Sequence, residues 1–175
     1  MQLTWSHAVL NVKDAPKMLD FYTNTLGFSI SDRGPIAEDG PDIIFLSQNH
    51  NEHHQLALVA TREDEGPSNA LNHMAFRVQS FEDLQTLQSR LEALEQKFLP
   101  LSHGNTLSFY FSDPEGNGLE VFWDTPWHVS QPSGAVWDNQ MDEAAALAWV
   151  EETFGQDPQF GRREESAQEF VNRTR

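Results

Sequence analysis

Ser6-His7-Ala8-Val9-Leu10-Asn11-Val12 and Asn72-His73-Met74-Ala75-Phe76-Arg77-Val78 are two copies of one pattern: a small polar residue, a histidine, a largely apolar run and a closing valine. The histidines hold the same place in each copy, 66 residues apart. Each run reads as a strand, because its β-branched and aromatic residues suit a pleated surface. A helix is expected after each. In the first copy Asp14 suits the N-cap and Pro16 the first turn. Met18, Leu19, Phe21, Tyr22 and Leu26 form an apolar stripe, and Gly27 stops it. In the second copy Ser80 caps a helix over Phe81–Gln96, with Asp83 three residues on and Leu84, Leu87, Leu91 and Leu94 as its apolar face. Extended runs follow at Phe28–Ser31, Ile43–Ser47 and Gln55–Ala60, and again at Phe98–Leu101, Leu107–Ser112 and Gly118–Trp123. Gly34-Pro35 and Gly40-Pro41 read as turns. Each half is thus β-α-β-β-β, which predicts an α+β fold of two tandem modules, about 1–62 and about 68–125, joined by the charged linker Thr61–Asn69.

Beyond Asp124 the texture changes. Thr125–Asn139 is rich in Pro, Gly, Ser and Trp and reads as a loop wrapping the body. Met141–Phe154 reads as a helix, and Gly161–Arg175 is polar and helical at best. This 126–175 extension, with Trp127 and Trp137, is expected to pack on the domain, close over a pocket or support a dimer.

Composition narrows the function classes. Hydrophobic residues make up 38% of the 175, enough for a real core. The formal net charge of −16 argues against a nucleic-acid partner, since phosphates would be repelled. Cysteine is absent, so disulfides and thiolate metal sites are excluded. No apolar stretch reaches membrane-spanning length and the N-terminus carries no secretory pattern, so a cytoplasmic protein is expected.

Glu120 interrupts the apolar run Gly118-Leu119-Glu120-Val121-Phe122-Trp123. A carboxylate in a buried strand is costly unless it is paired or binds a metal. Taken alone, Glu120 is better accounted for by an exposed face or a salt bridge to an arginine, and a lone strand histidine is more often a hydrogen-bonded core residue than a ligand. Together, His7, His73 and Glu120 are the donor set of a two-histidine, one-carboxylate facial site, which holds Fe(II) with open positions for substrate and oxygen. Leu101-Ser102-His103 and Phe109-Tyr110-Phe111-Ser112-Asp113-Pro114-Glu115-Gly116 precede Glu120, with Asp113–Gly116 reading as a tight turn. Asn51-Glu52-His53-His54-Gln55-Leu56 places a histidine pair before a strand; alone, it reads as a polar loop or an adventitious metal patch.

In order and spacing, His103, Phe109, Tyr110, Asp113, Pro114, Gly116 and Glu120 resemble the motif of the type I extradiol ring-cleavage dioxygenases, within the vicinal oxygen chelate superfamily. Leu101 departs from it, since the family usually carries a smaller, β-branched or amide residue there. The pair His53-His54 resembles the family's paired-histidine strand. The resemblance covers about residues 1–125. It implies a cupped mixed sheet around a metal site, with His7, His73 and Glu120 holding Fe(II) or, less often, Mn(II). It implies acid–base work by His54, with Tyr110 and His103 hydrogen-bonding the substrate. The partners it implies are a small aromatic diol and O2, with a dimer or higher homo-oligomer. A non-oxidative metal enzyme of the same superfamily (an isomerase or a thiol transferase) and a metal-free drug-binding protein of the same fold are the alternatives.

Overall fold

The computed structural model describes residues 5–63 and 71–165; the expected linker and the polar tail therefore lie largely outside the described residues. The chain is α+β and folds as two compact units. One is built from residues up to Asn72 together with Ser112–Asn117, the other from His73–Phe111 and from Gly118 onward.

The first unit contains β1 (Ala8–Asn11), α1 (Ala15–Asp20) running into a π-helical stretch Phe21–Thr25, β2 (Ser29–Pro35), β3 (Asp42–Ser47) and β4 (Leu56–Val59). The Asp14 carboxylate accepts the Lys17 N–H at 3.0 Å and starts α1. Gly27, at φ +80°, ends the helical run in a conformation that other residues adopt at a cost. The sheet order is β1-β4-β3-β2, with β1 parallel to β4 and the other pairs antiparallel. All four residues of β4 are buried, which explains a run with no polar alternation. Gly34-Pro35, read above as a turn, instead ends β2: Gly34 pairs with Ile43 and Pro35 with Asp42. Because β2 is an edge strand, the missing proline N–H leaves no ladder bond unmade.

The turn Asp113-Pro114-Glu115-Gly116 belongs to this unit, and its acids explain why. Asp113 Oδ2 accepts the Tyr22 hydroxyl at 3.1 Å and Asn117 Nδ2 at 2.7 Å; Oδ1 accepts the N–H groups of Glu115 and Asn117 at 3.0 and 2.9 Å. Glu115 Oε1 accepts the N–H groups of Lys13 and Asp14 at 2.6 and 2.8 Å, beside the first turn of α1. Its other oxygen lies 3.5 Å from the nearly buried Arg62 guanidinium.

The second unit contains β5 (Met74–Arg77), α2 (Phe81–Ala93), β6 (Leu99–Ser102), β7 (Thr106–Ser112), β8 (Gly118–Asp124), β9 (Trp127–His128), β10 (Ala135–Val136), α3 (Glu143–Phe154) and β11 (Gly161–Arg162). Ser80 and Asp83 form the full capping box of α2. The main sheet runs β10-β6-β7-β8-β5, with β5 parallel to β8, repeating the arrangement of β1 and β4. The extension belongs to this core: Val129 is fully buried, and Trp137 stacks on Phe109 with ring centroids 5.6 Å apart and donates Nε1–H to the Ser108 carbonyl at 3.4 Å. No helix among the described residues is long and apolar enough to cross a membrane.

Candidate metal centre

His7 and His73 stand at equivalent places, each one residue before the first strand of its repeat, β1 and β5. In the second unit the parallel register sets Ala75 opposite Glu120. His73 is two residues before Ala75 and so shares its face. The consequence is direct: His73 Nε2 lies 3.3 Å from Glu120 Oε2. Glu120 is 8% exposed, and its Oε1 accepts the Ser108 hydroxyl from β7 at 2.8 Å. The carboxylate is thus neither solvated nor paired with an arginine in these contacts; it is held between a histidine and a serine.

Tyr110 and His103 join the same unit's arrangement. The Tyr110 and His73 rings meet edge to face at 5.4 Å. Burial, then a hydrogen bond to Glu120 and that group's charge, push the Tyr110 phenol above its ordinary range, so it stays protonated. Its oxygen is 3.0 Å from His103 Nε2, and His103 Nδ1 is 2.6 Å from the Ser133 carbonyl.

In the first unit, the parallel pairing of β1 with β4 sets Ala8 opposite Leu56 and brings His7 to the loop before β4. The His7 and His54 rings lie 4.2 Å apart at 51°. His54 Nδ1 is 2.9 Å from His53 Nδ1, and His53 Nε2 is 3.5 Å from Asp32. Burial, with the neighbouring His7 and His53, holds His54 below the usual imidazole range, so it is neutral and able to take a proton near pH 7.

Of the expected ligands, the structure brings His73 and Glu120 together, and it sets His7 beside His54. Among the described residues no three of His, Asp and Glu are gathered as a ready cation cage. The donor chemistry nevertheless fits a divalent metal. An imidazole nitrogen and a buried carboxylate oxygen facing each other at 3.3 Å suit sharing a proton or a cation, and Ser108 orients the carboxylate from behind. Ser108 and Ser133 were missed in the sequence: a strand serine and a loop carbonyl carry no spacing signal.

The model of the glyoxalase/bleomycin resistance protein/dioxygenase superfamily matches residues 4–121, and the chain belongs to that superfamily. Among its relatives is biphenyl-2,3-diol 1,2-dioxygenase 3 of Rhodococcus globerulus, 31% identical over 123 residues, covering 66% of this chain and 60% of that protein. Lactoylglutathione lyase of Pseudomonas putida is 28% identical over 156 residues, covering 71% of this chain and 87% of that one. The chain spans 60% or less of the length of the curated dioxygenases it matches. The crystal structure of a fosfomycin resistance protein, FosX, from Listeria monocytogenes with Mn(II) and sulfate aligns at a TM-score of 0.56 and 22% identity. It covers 71% of this chain and 95% of that one, a likeness of fold.

Proposed function

We propose that the protein is an extradiol dioxygenase that opens a catecholic ring with O2, using Fe(II) held by His7, His73 and Glu120. The observation that carries this reading is the buried Glu120 carboxylate facing the half-buried His73, with the Tyr110–His103 hydrogen bond beside it. The 31% identity to a biphenyl-2,3-diol dioxygenase supports it. When bound, the metal supplies Lewis acidity to the vicinal hydroxyls and redox access to oxygen. The protein's own groups do the rest. His54, neutral and with Nδ1 engaged by His53, takes a substrate proton on Nε2 and returns it as the ring opens. Tyr110 keeps its proton and donates to oxygen that gains negative charge, and His103 orients a substrate hydroxyl.

The test is anaerobic loading with Fe(II), followed by air and a panel of catechols. Stoichiometric oxygen uptake with a new yellow chromophore supports the reading. One observation favours a second reading, a non-oxidative metal enzyme: the chain covers 87% of the length of lactoylglutathione lyase. Tight binding of one metal without oxygen uptake on any catechol selects that reading.

A further inference from the structure

The hairpin turn between β6 and β7, residues 103–105, is held at every position by Thr125 and the extension that follows it. Thr125 Oγ1 donates to the Gly104 carbonyl at 2.5 Å, and the N–H groups of Thr125 and Val129 go to Asn105 O and Oδ1 at 2.9 and 2.6 Å. Gly104 stands at φ +76°, and a Cβ there would come within 2.3 Å of Val129 Cγ2. At His103, Gln131 Nε2–H donates to the backbone carbonyl at 2.8 Å, while Gln131 Oε1 accepts the Ser133 N–H at 3.1 Å. Gln131 thereby fixes the Ser133 carbonyl over the imidazole, 2.6 Å from Nδ1.

A carbonyl oxygen only accepts, so His103 Nδ1 must carry a hydrogen. In the neutral ring Nε2 is then a lone pair. We propose that the segment Gln131–Ser133 is a positioning device that locks His103 as the Nδ1–H tautomer, so that Nε2 faces Tyr110 and the substrate as an acceptor. The direction of hydrogen bonding follows: Tyr110 O–H to His103 Nε2, and His103 Nδ1–H to Ser133 O. Two acceptors, His103 Nε2 and Glu120, face one phenolic proton. A fixed tautomer means that, once Tyr110 turns its proton to Glu120, the one lone pair of His103 Nε2 is free to receive a hydrogen bond from a substrate hydroxyl, and a ligand that offers only an acceptor there is rejected. The catalytic consequence rests on the dioxygenase reading; the tautomer does not.

The experiment uses the full chain with 15N in its histidine rings, without metal, at a pH where imidazoles are neutral. The His103 signals are assigned by their loss in His103→Gln. A pyrrole-type Nδ1 and a pyridine-type Nε2 are expected, opposite to the tautomer free histidine prefers. Gln131→Leu, which removes both anchors, should give averaged signals. Gln131→Glu keeps the acceptor for Ser133 N–H and should shift them less, and it stands in if the leucine variant does not fold. In the Fe(II)-loaded enzyme Gln131→Leu should lower kcat about tenfold with KM for the catechol little changed. An Nε2–H tautomer in the wild type, or signals that do not move in either variant, overturns the proposal. A correct tautomer in a protein that cleaves no catechol fails the dioxygenase reading and leaves this one standing.

Discussion

Ser108 is where one hydroxyl satisfies a buried carboxylate oxygen. Ser108→Ala leaves Glu120 Oε1 without its partner, and an unsatisfied buried group costs about 1–3 kcal/mol. Urea unfolding of the metal-free protein should show a loss of that size, and metal titration a weaker site. At His54 the expectation is different. His54→Gln should leave metal binding intact and reduce turnover by about 10²–10⁴-fold, the usual worth of a general base; loss of metal in that variant would reassign the residue. Glu120 and His73 were legible in the chain because a carboxylate and an imidazole stood in apolar runs. The contact between them was not, because it depends on the parallel register of β5 and β8. His7 and His73 were singled out together by their equivalent places in the repeat, and the contact of His7 with His54 was not foreseen.

The elements themselves were largely legible, since helix caps and stripes are local. Asp14, Ser80 and Gly27 act as expected, and the β-α-β-β-β order recurs in both units. Less legible was β2, where Gly34-Pro35 looks like a turn and is an edge-strand end, a placement that sheet order alone reveals. The hairpin at residues 103–105 is the most constrained element near the candidate site. Gly104→Ala adds a strained φ and an overlap with the buried Val129, and should destabilise by at least ~2 kcal/mol in urea unfolding. The helix that follows β1 gives a pH signature. Burial and the Asp113 carboxylate raise the Tyr22 phenol far above its ordinary value of 10.0. A raised folded-state pKa means that this stability is complete below pH 10 and declines as pH rises above it, because the unfolded chain ionises first. Tyr22→Phe should flatten that alkaline slope while costing about 1 kcal/mol at neutral pH from the lost hydrogen bond.

The whole molecule carries 27 acidic against 11 basic side chains. Screening such self-repulsion favours the compact state, so Tm should climb as NaCl is raised from a few millimolar to about physiological strength, where the Debye length is about 8 Å. A flat or falling Tm would mean that the exposed ion pairs, such as Arg33–Asp42 at 2.9 Å, outweigh the repulsion. The pattern of two equal repeats was readable along the chain; the unequal division of residues between the two units was not. The turn Asp113–Gly116 sits late in the sequence, yet its carboxylates satisfy Tyr22, Lys13 and Asp14 near the start. The dependence therefore runs one way. A gene severed between the repeats would give a second fragment, from His73 on, that carries every residue of its own unit. The first would be born without acceptors for two amides and a phenol. The halves are alike in their order of elements, yet the half made first on the ribosome cannot complete its own hydrogen bonds until a turn from the second has been added.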